Sequence, residues 1–185
     1  MNPTRHLDTA ALQPLLAEAR RSPASQGTLE MIVIRPDRDD RQTPSSAEVS
    51  REAGLVGDRW ARTCTRKLPD GSLNPDSQLT LMNARVLGPI AGSKDRWALA
   101  GDNLVVDLDI TEENLPPGQR LAVGSVILEI TPHPHTGCAK FSKRFGDEAF
   151  RFVNAPLNAT YRLRGVHAHV IQPGRIAVGD VLMKL

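Results

Sequence analysis

Apolar positions along this chain recur at two different periods, and the sharpest change from one to the other falls between Gly124 and Gly146. Val126 to Thr131 is rich in β-branched residues and predicts a strand, which Pro132 and Pro134 forbid to continue. Past Gly137 the apolar positions Phe141, Phe145 and Ala149 fall four apart, with Lys140, Lys143 and Arg144 between them. That spacing predicts an amphipathic helix opening near Cys138. Upstream, residues 8–21 place Leu12, Leu15, Leu16 and Ala19 on one side of a short helix capped by Asp8 or Thr9, which Pro14 must split or kink. Thr28 to Ile34 predicts a strand stopped by Pro36. Residues 37–50 show no hydrophobic period and read as an exposed polar loop, and 68–77, with Pro69, Gly71, Asn74 and Pro75, as another. Between them Gly54 and Gly57 close a turn that Asp58 and Arg59 leave. Gln78 to Met82 alternates as a half-buried strand, Asn83 caps a short helix through Val86 and Leu87, and a turn at 100–104 leads into a strand from Val105 to Ile110.

The C-terminal third contains an echo. Arg120 to Ile130 and Arg175 to Leu185 share Arg, Ala, Val, Gly and Val at the same places, each behind a Pro-Gly pair, Pro117-Gly118 and Pro173-Gly174. In both copies a glycine separates two short strands, the device by which a coiled antiparallel sheet turns a corner. Between the copies, alternation sends Val166, Ala168 and Val170 one way and His167 and His169 the other. Seven or so strands with helices only between them predict a mainly β, α+β domain. Its architecture is a closed or nearly closed β-barrel decorated by short helices, over residues 28–185, behind an N-terminal helical arm, residues 1–27.

Composition narrows the class. A chain of 185 residues with 40% hydrophobic content builds one core, and a net charge of +2 without lysine-rich runs means that any anionic partner is met locally. Aromatics at 4% leave few platforms for stacking bases, so nucleic acid is not an expected partner. No stretch approaches the ~18 apolar residues of a membrane span, and no apolar segment follows the initial Met1; a cytoplasmic protein is expected. In such a compartment Cys64 and Cys138 need not pair.

Cys138 stands at the strand-to-helix junction, where free N–H groups favour a thiolate and His133, His135 and Lys140 can act as cations beside it. It is the expected reactive atom. Cys64 has cations around it but no turn or helix signal, and reads as incidental. His133, His135 and Cys138 also have the residue types of a zinc site, although Pro134 stiffens the segment.

Gly57-Asp58-Arg59, Gln78-Leu79-Thr80-Leu81, Gly101-Asp102-Asn103-Leu104, Arg120-Leu121-Ala122-Val123-Gly124, Gly137-Cys138-Ala139-Lys140-Phe141 and Arg164-Gly165-Val166, in that order, resemble the MOSC domain family, named after the C-terminal domain of molybdenum cofactor sulfurases. The resemblance runs from about Thr28 to Leu185. It implies a β-barrel-like fold, a molybdenum cofactor (molybdopterin) as ligand, and a cysteine, here Cys138, that carries sulfur or ligates molybdenum. For such a ligand Arg59, Lys140 and Arg164 are the phosphate candidates, Gln78 and Asn103 the amides for the pterin, and His133 a further cofactor contact; Asp58 orients Arg59. Two activities follow from the resemblance: reduction of an N-oxygenated small molecule with Cys138 on the metal, or transfer of a Cys138 persulfide to the cofactor. The first is favoured if His133, His135, Phe141 and Phe145 wall the cysteine into a pocket. Nothing here resembles a flavin, haem or iron–sulfur site, so it needs an electron-donor reductase; the second needs a cysteine desulfurase. A barrel that binds a pterin or a partner without chemistry is the third possibility.

Overall fold

Pro14 divides the N-terminal helix into α1, Thr9–Leu12, and α2, Leu15–Arg21, because a proline inside a helix lacks the N–H and crowds the preceding turn. Asp8 caps the first piece by accepting from the Ala11 N–H. The computed structural model describes residues 6–185, so Met1–Arg5 of the predicted arm lie outside the described residues.

Strands β1 (Gln26–Ile32), β4 (Leu79–Asn83), β5 (Leu104–Asp107), β6 (Arg120–Val123), β7 (Val126–Ile130), β8 (Val166–Gln172) and β10 (Val181–Lys184) close into a barrel. Its order is β1-β10-β6-β7-β8-β4-β5, returning to β1, with β4 and β5 parallel. Closure leaves no free edge among these strands, and the predicted barrel is the observed one. Inward positions such as Leu29, Leu81, Val106, Leu128 and Ala168 fill the interior. Outward positions of β4 and β5, Met82 and Val105, meet a second core under the helices α4 (Ala84–Ala91), α5 (Ala139–Phe145) and α6 (Asp147–Asn154). Leu12, Leu15 and Ala19 of the arm join that second core beside Phe141 and Phe145, so the arm is packed into the fold.

Two expectations are corrected. Residues 37–50 are not all loop: β2, Ser46–Ser50, buries Ala47 and Val49 and forms a three-stranded sheet with β3 (Gly54–Leu55) and β9 (Gly174–Ala177). The two echo copies also fold differently. The first makes the hairpin β6–β7, whereas the second passes the chain from β9 in the small sheet to β10 in the barrel, where β10 pairs with β6 of the first copy. Gly124 and Gly179, at φ +55° and +94°, make the two turns, as their positions predict.

Candidate functional site

The helix α5 has two faces. Phe141 and Phe145 go down into the second core with ring centroids 4.9 Å apart, while Lys140 and Arg144, one turn apart, go up to the loop that carries Asp39. Asp39 accepts from Lys140 Nζ at 2.7 Å and from Arg144 Nη2 at 2.8 Å. Cys138 precedes this helix as its N-cap and is exposed. The phenylalanines are core, not pocket walls, so the predicted enclosure of Cys138 does not exist.

A dense arginine network supports the same end of the barrel. Arg35 holds Asp58 through two parallel bonds, Nε to Oδ2 at 2.8 Å and Nη2 to Oδ1 at 3.0 Å, and donates to the Gly101 carbonyl at 2.8 Å. Burial raises the Asp58 pKa, but the Arg35 bonds and charge outweigh it and leave the carboxyl below its usual range. Asp58 therefore orients Arg35, not Arg59 as the sequence suggested. Arg41 sits close enough to this group that burial, then the charges of Arg144, Arg35 and Arg59, lower its pKa, and its Nε is buried without a partner. Lys140, Arg144 and Arg38 thus act on Asp39, Arg35 holds Asp58, and Arg41 and Arg59 add positive charge beside them. Cations outnumber these two carboxylates at this end of the barrel.

Of the predicted amides, Asn103 belongs to this network and Gln78 does not. Gln78 donates to the Arg51 carbonyl at 2.7 Å and accepts from the Val170 N–H at 2.9 Å, tying the small sheet to β8. Asn103 accepts from Arg35 and the Thr80 N–H and donates to Asp58, all inside the protein. Both amides hydrogen-bond within the protein.

Arg164 and His133 face elsewhere. Gly165 at φ +107° lies so close to the Leu81 carbonyl oxygen that a Cβ would collide with it, and the adjacent Arg164 is thereby held inside. Arg164 Nη1 donates to Asp102 Oδ2 at 2.6 Å, Nη2 donates to the Ala100 carbonyl at 3.0 Å, and the guanidinium lies 5.1 Å from the Phe141 ring centroid. Asp102 Oδ1 is 3.5 Å from His135 Nδ1. His135 in turn packs against His167 with centroids 4.5 Å apart, and His167 lies 4.9 Å from His133. His133 Nδ1 accepts from Arg66 Nη1 at 2.8 Å, which requires an unprotonated nitrogen. Burial, assisted by the arginine charges, lowers the pKa of all three rings, His167 to about 4. His133 and His135 are therefore neutral at pH 7 and do not serve as cations beside Cys138.

Among the described residues no three His, Cys, Asp or Glu side chains converge into a metal-binding group. The predicted zinc arrangement of His133, His135 and Cys138 does not form: His135 is turned inward to Asp102 while Cys138 is exposed. The histidines instead line a cavity of about 260 Å³ between loop 131–136, the end of α6 and residues 162–166; Cys138 is not on its wall.

Brief alkylation at neutral pH, read by mass spectrometry, should label Cys138 before Cys64. Cys138 is exposed, whereas Cys64 is half-buried with its Sγ 3.6 Å from the Arg66 carbonyl oxygen. Faster labelling of Cys64 would reverse the assignment of the accessible thiol.

Arg35, Arg41, Arg144, Asp39 and Asp102 were missed by sequence reasoning. A signal existed for Arg144, one turn after Lys140 on α5, but Arg41 and Asp39 lay in a stretch read only as polar loop. Among the described residues, no helix is long and apolar enough to cross a membrane.

The MOSC domain matches residues 70–183, which include Cys138, Lys140 and Arg164 but not Arg35, Arg41 or Arg59. No curated protein matches the chain. Among solved structures it is similar to the YUAD protein from Bacillus subtilis, at 17% identity and TM-score 0.57 over 85% of this chain and 94% of that one. YiiM from Geobacillus stearothermophilus (14% identity, TM-score 0.58, 86% and 75% covered) and YiiM from Escherichia coli (19%, 0.53, 85% and 69%) share the fold as well.

Proposed function

The chain belongs to the MOSC domain family, and from that premise we propose that it binds the molybdenum cofactor at the basic end of the barrel and is the molybdenum-bearing component of a reductase acting on N-oxygenated small molecules. The observation that carries this reading is the excess of cations around Asp39 and Asp58, with the exposed Cys138 as the N-cap of the helix that bears Lys140 and Arg144. The residues present suit such a group. A cofactor phosphate needs charge-assisted donors, which Arg59, Arg41, Lys140 and Arg144 supply, and the buried Nε–H of Arg41 lacks an acceptor that an anion would provide. A soft metal needs a thiolate, which Cys138 supplies. When bound, the cofactor would contribute a redox-active molybdenum centre. Arg35 and Asp58 keep the receptor in shape, since their paired charges hold the loops of residues 33–36 and 56–60 together at Gly101 and Asn103.

Reductive cleavage of an N–O bond consumes two electrons and two protons and releases water, so an electron-donor partner is part of the proposal. Protein purified from a cofactor-competent host should contain molybdenum and turn over a hydroxylamine or amidoxime with a chemical electron donor. Arg59→Ala should lower its cofactor affinity by about 10- to 100-fold, the loss of one charged hydrogen bond. Cys138→Ser should abolish turnover with the fold intact.

The enclosure of Cys138 that would favour reduction over sulfur transfer is absent, and its exposure supports a second reading, a persulfide carrier, because a relay thiol must meet its donor protein. Absence of turnover, together with a persulfide on Cys138 after incubation with a cysteine desulfurase, would put that activity first. Neither molybdenum nor persulfide would reduce the domain to a binding barrel.

A further inference from the structure

The cavity beside the histidines carries chemistry that the basic end does not use. Arg162 and Arg164 contribute to its walls, with His133 and His135 across from them. Arg162 has φ 49° and ψ 44°, a left-handed backbone that a side-chain-bearing residue adopts only under strain. Strain of this kind persists where a side chain is needed in one place. The Arg162 guanidinium donates to the Leu115 carbonyl, and among the described residues no carboxylate stands within ion-pair distance of it. Glu112 acts on it only through its charge.

One further group on the same wall lacks a partner: Arg164 Nε is buried without a hydrogen bond in a residue only 5% exposed, whereas His135 Nδ1 faces Asp102 Oδ1 at 3.5 Å. Buried donors of that kind are costly unless something accepts from them. The rest of the lining is mixed, with Thr131, Thr136 and Asn154 polar and Pro132, Pro134, Val153 and Val166 apolar. The two histidines add no positive charge at neutral pH, and Glu112 adds a negative one. Asp102 pairs with Arg164 and Glu112 offsets Arg162, so what the wall leaves open is a pair of donors, the Arg162 guanidinium and the Arg164 Nε–H, placed to take a carboxylate, and the volume lies just below the ~300 Å³ at which drug-sized ligand pockets begin.

We propose that this cavity binds a small monocarboxylate with a flat or apolar body, its carboxylate taken by Arg162 and the Nε–H of Arg164. The body lies against Pro134, Val153 and Val166. This site stands apart from the cofactor reading, since Cys138 and Arg59 are not on its walls.

Calorimetric titration of the full chain with benzoate, and with benzamide as its neutral isostere, tests it. Benzoate is expected to bind at least tenfold tighter than benzamide. Arg162→Gly removes the guanidinium and its bond to the Leu115 carbonyl while relieving the left-handed backbone, so it should weaken benzoate at least tenfold with the fold, read by circular dichroism, retained. No benzoate binding, equal binding of the two probes, or benzoate affinity untouched in Arg162→Gly overturns the proposal. Inorganic phosphate binding as tightly as benzoate overturns the monocarboxylate class. Molybdenum content is a separate measurement, so this site and the cofactor site fail or stand independently.

Discussion

Replacing Asp102 with alanine should destabilise the fold by about 3–5 kcal/mol, the range for removing one partner of a buried ion pair. Asp102 is 1% exposed and Arg164 5% exposed, so the guanidinium loses its paired carboxylate in a largely dehydrated place. What remains around it is the Ala100 carbonyl, the Met82 sulfur at 3.8 Å and the face of Phe141. None of these supplies a counter-charge, and Gly165 holds the backbone against β4, so Arg164 cannot swing outward without moving the strand. The same argument predicts rescue. In the double variant Asp102→Ala, Arg164→Met most of the loss should return, because burying neither charge is close to neutral. Urea unfolding of the three proteins decides this. A loss under about 1 kcal/mol for Asp102→Ala would mean that water or another anion already reaches Arg164.

That pair also shows what the chain made legible and what it did not. Elements written by neighbouring residues could be read directly: the break at Pro14, the strand before Pro132, the helix after Cys138 and the cap at Asn83. Strand β2 escaped because Ala47 and Val49 are two apolar positions among Ser and Glu, a signal too short to stand without its partners β3 and β9. The echo is the sharper lesson. Two eleven-residue copies that share Arg, Ala, Val, Gly and Val form a hairpin once and a sheet-to-sheet corner once, because β9 finds β2 and β10 finds β1, which are choices made by distant segments.

The site followed the same rule. Cys138 was legible from its local turn, and Lys140 from its place on α5. Partner choice was not. Asp58 adjoins Arg59 in sequence yet bonds Arg35, and Arg164 finds Asp102, because a buried carboxylate takes the guanidinium that the fold brings to it. Gln78 and Asn103 mark the same limit from the other side: an amide on a strand can satisfy the protein or a ligand, and only the closed barrel shows that both satisfy the protein.

Acid should unfold the chain through its histidines before its carboxylates contribute. Burial holds His167 at about 4 and His135 well below its ordinary 6.5, with Arg164 and Arg35 adding to the effect from the neighbouring segments. Of the carboxylates near these rings, Asp102 already pairs with Arg164, and Asp76 acts on the more exposed His133. Because the folded pKa lies below the unfolded one, the unfolded chain binds more protons as pH falls from 6.5 towards 4. Stability is then full above pH 6.5 and declines through that window, by about 3 kcal/mol for His167 alone, with His135 adding in the same direction. Asp58 and Asp39, whose pKa values are lowered from 3.8, contribute only at lower pH, so the window from 6.5 to 4 belongs to the rings. Urea midpoints measured from pH 7.5 to 4.5 should fall steadily, and His167→Gln, neutral at every pH, should flatten part of the slope. A midpoint constant across that range would show that the histidines accept protons in the folded state, and with them that the ring cluster is open to water.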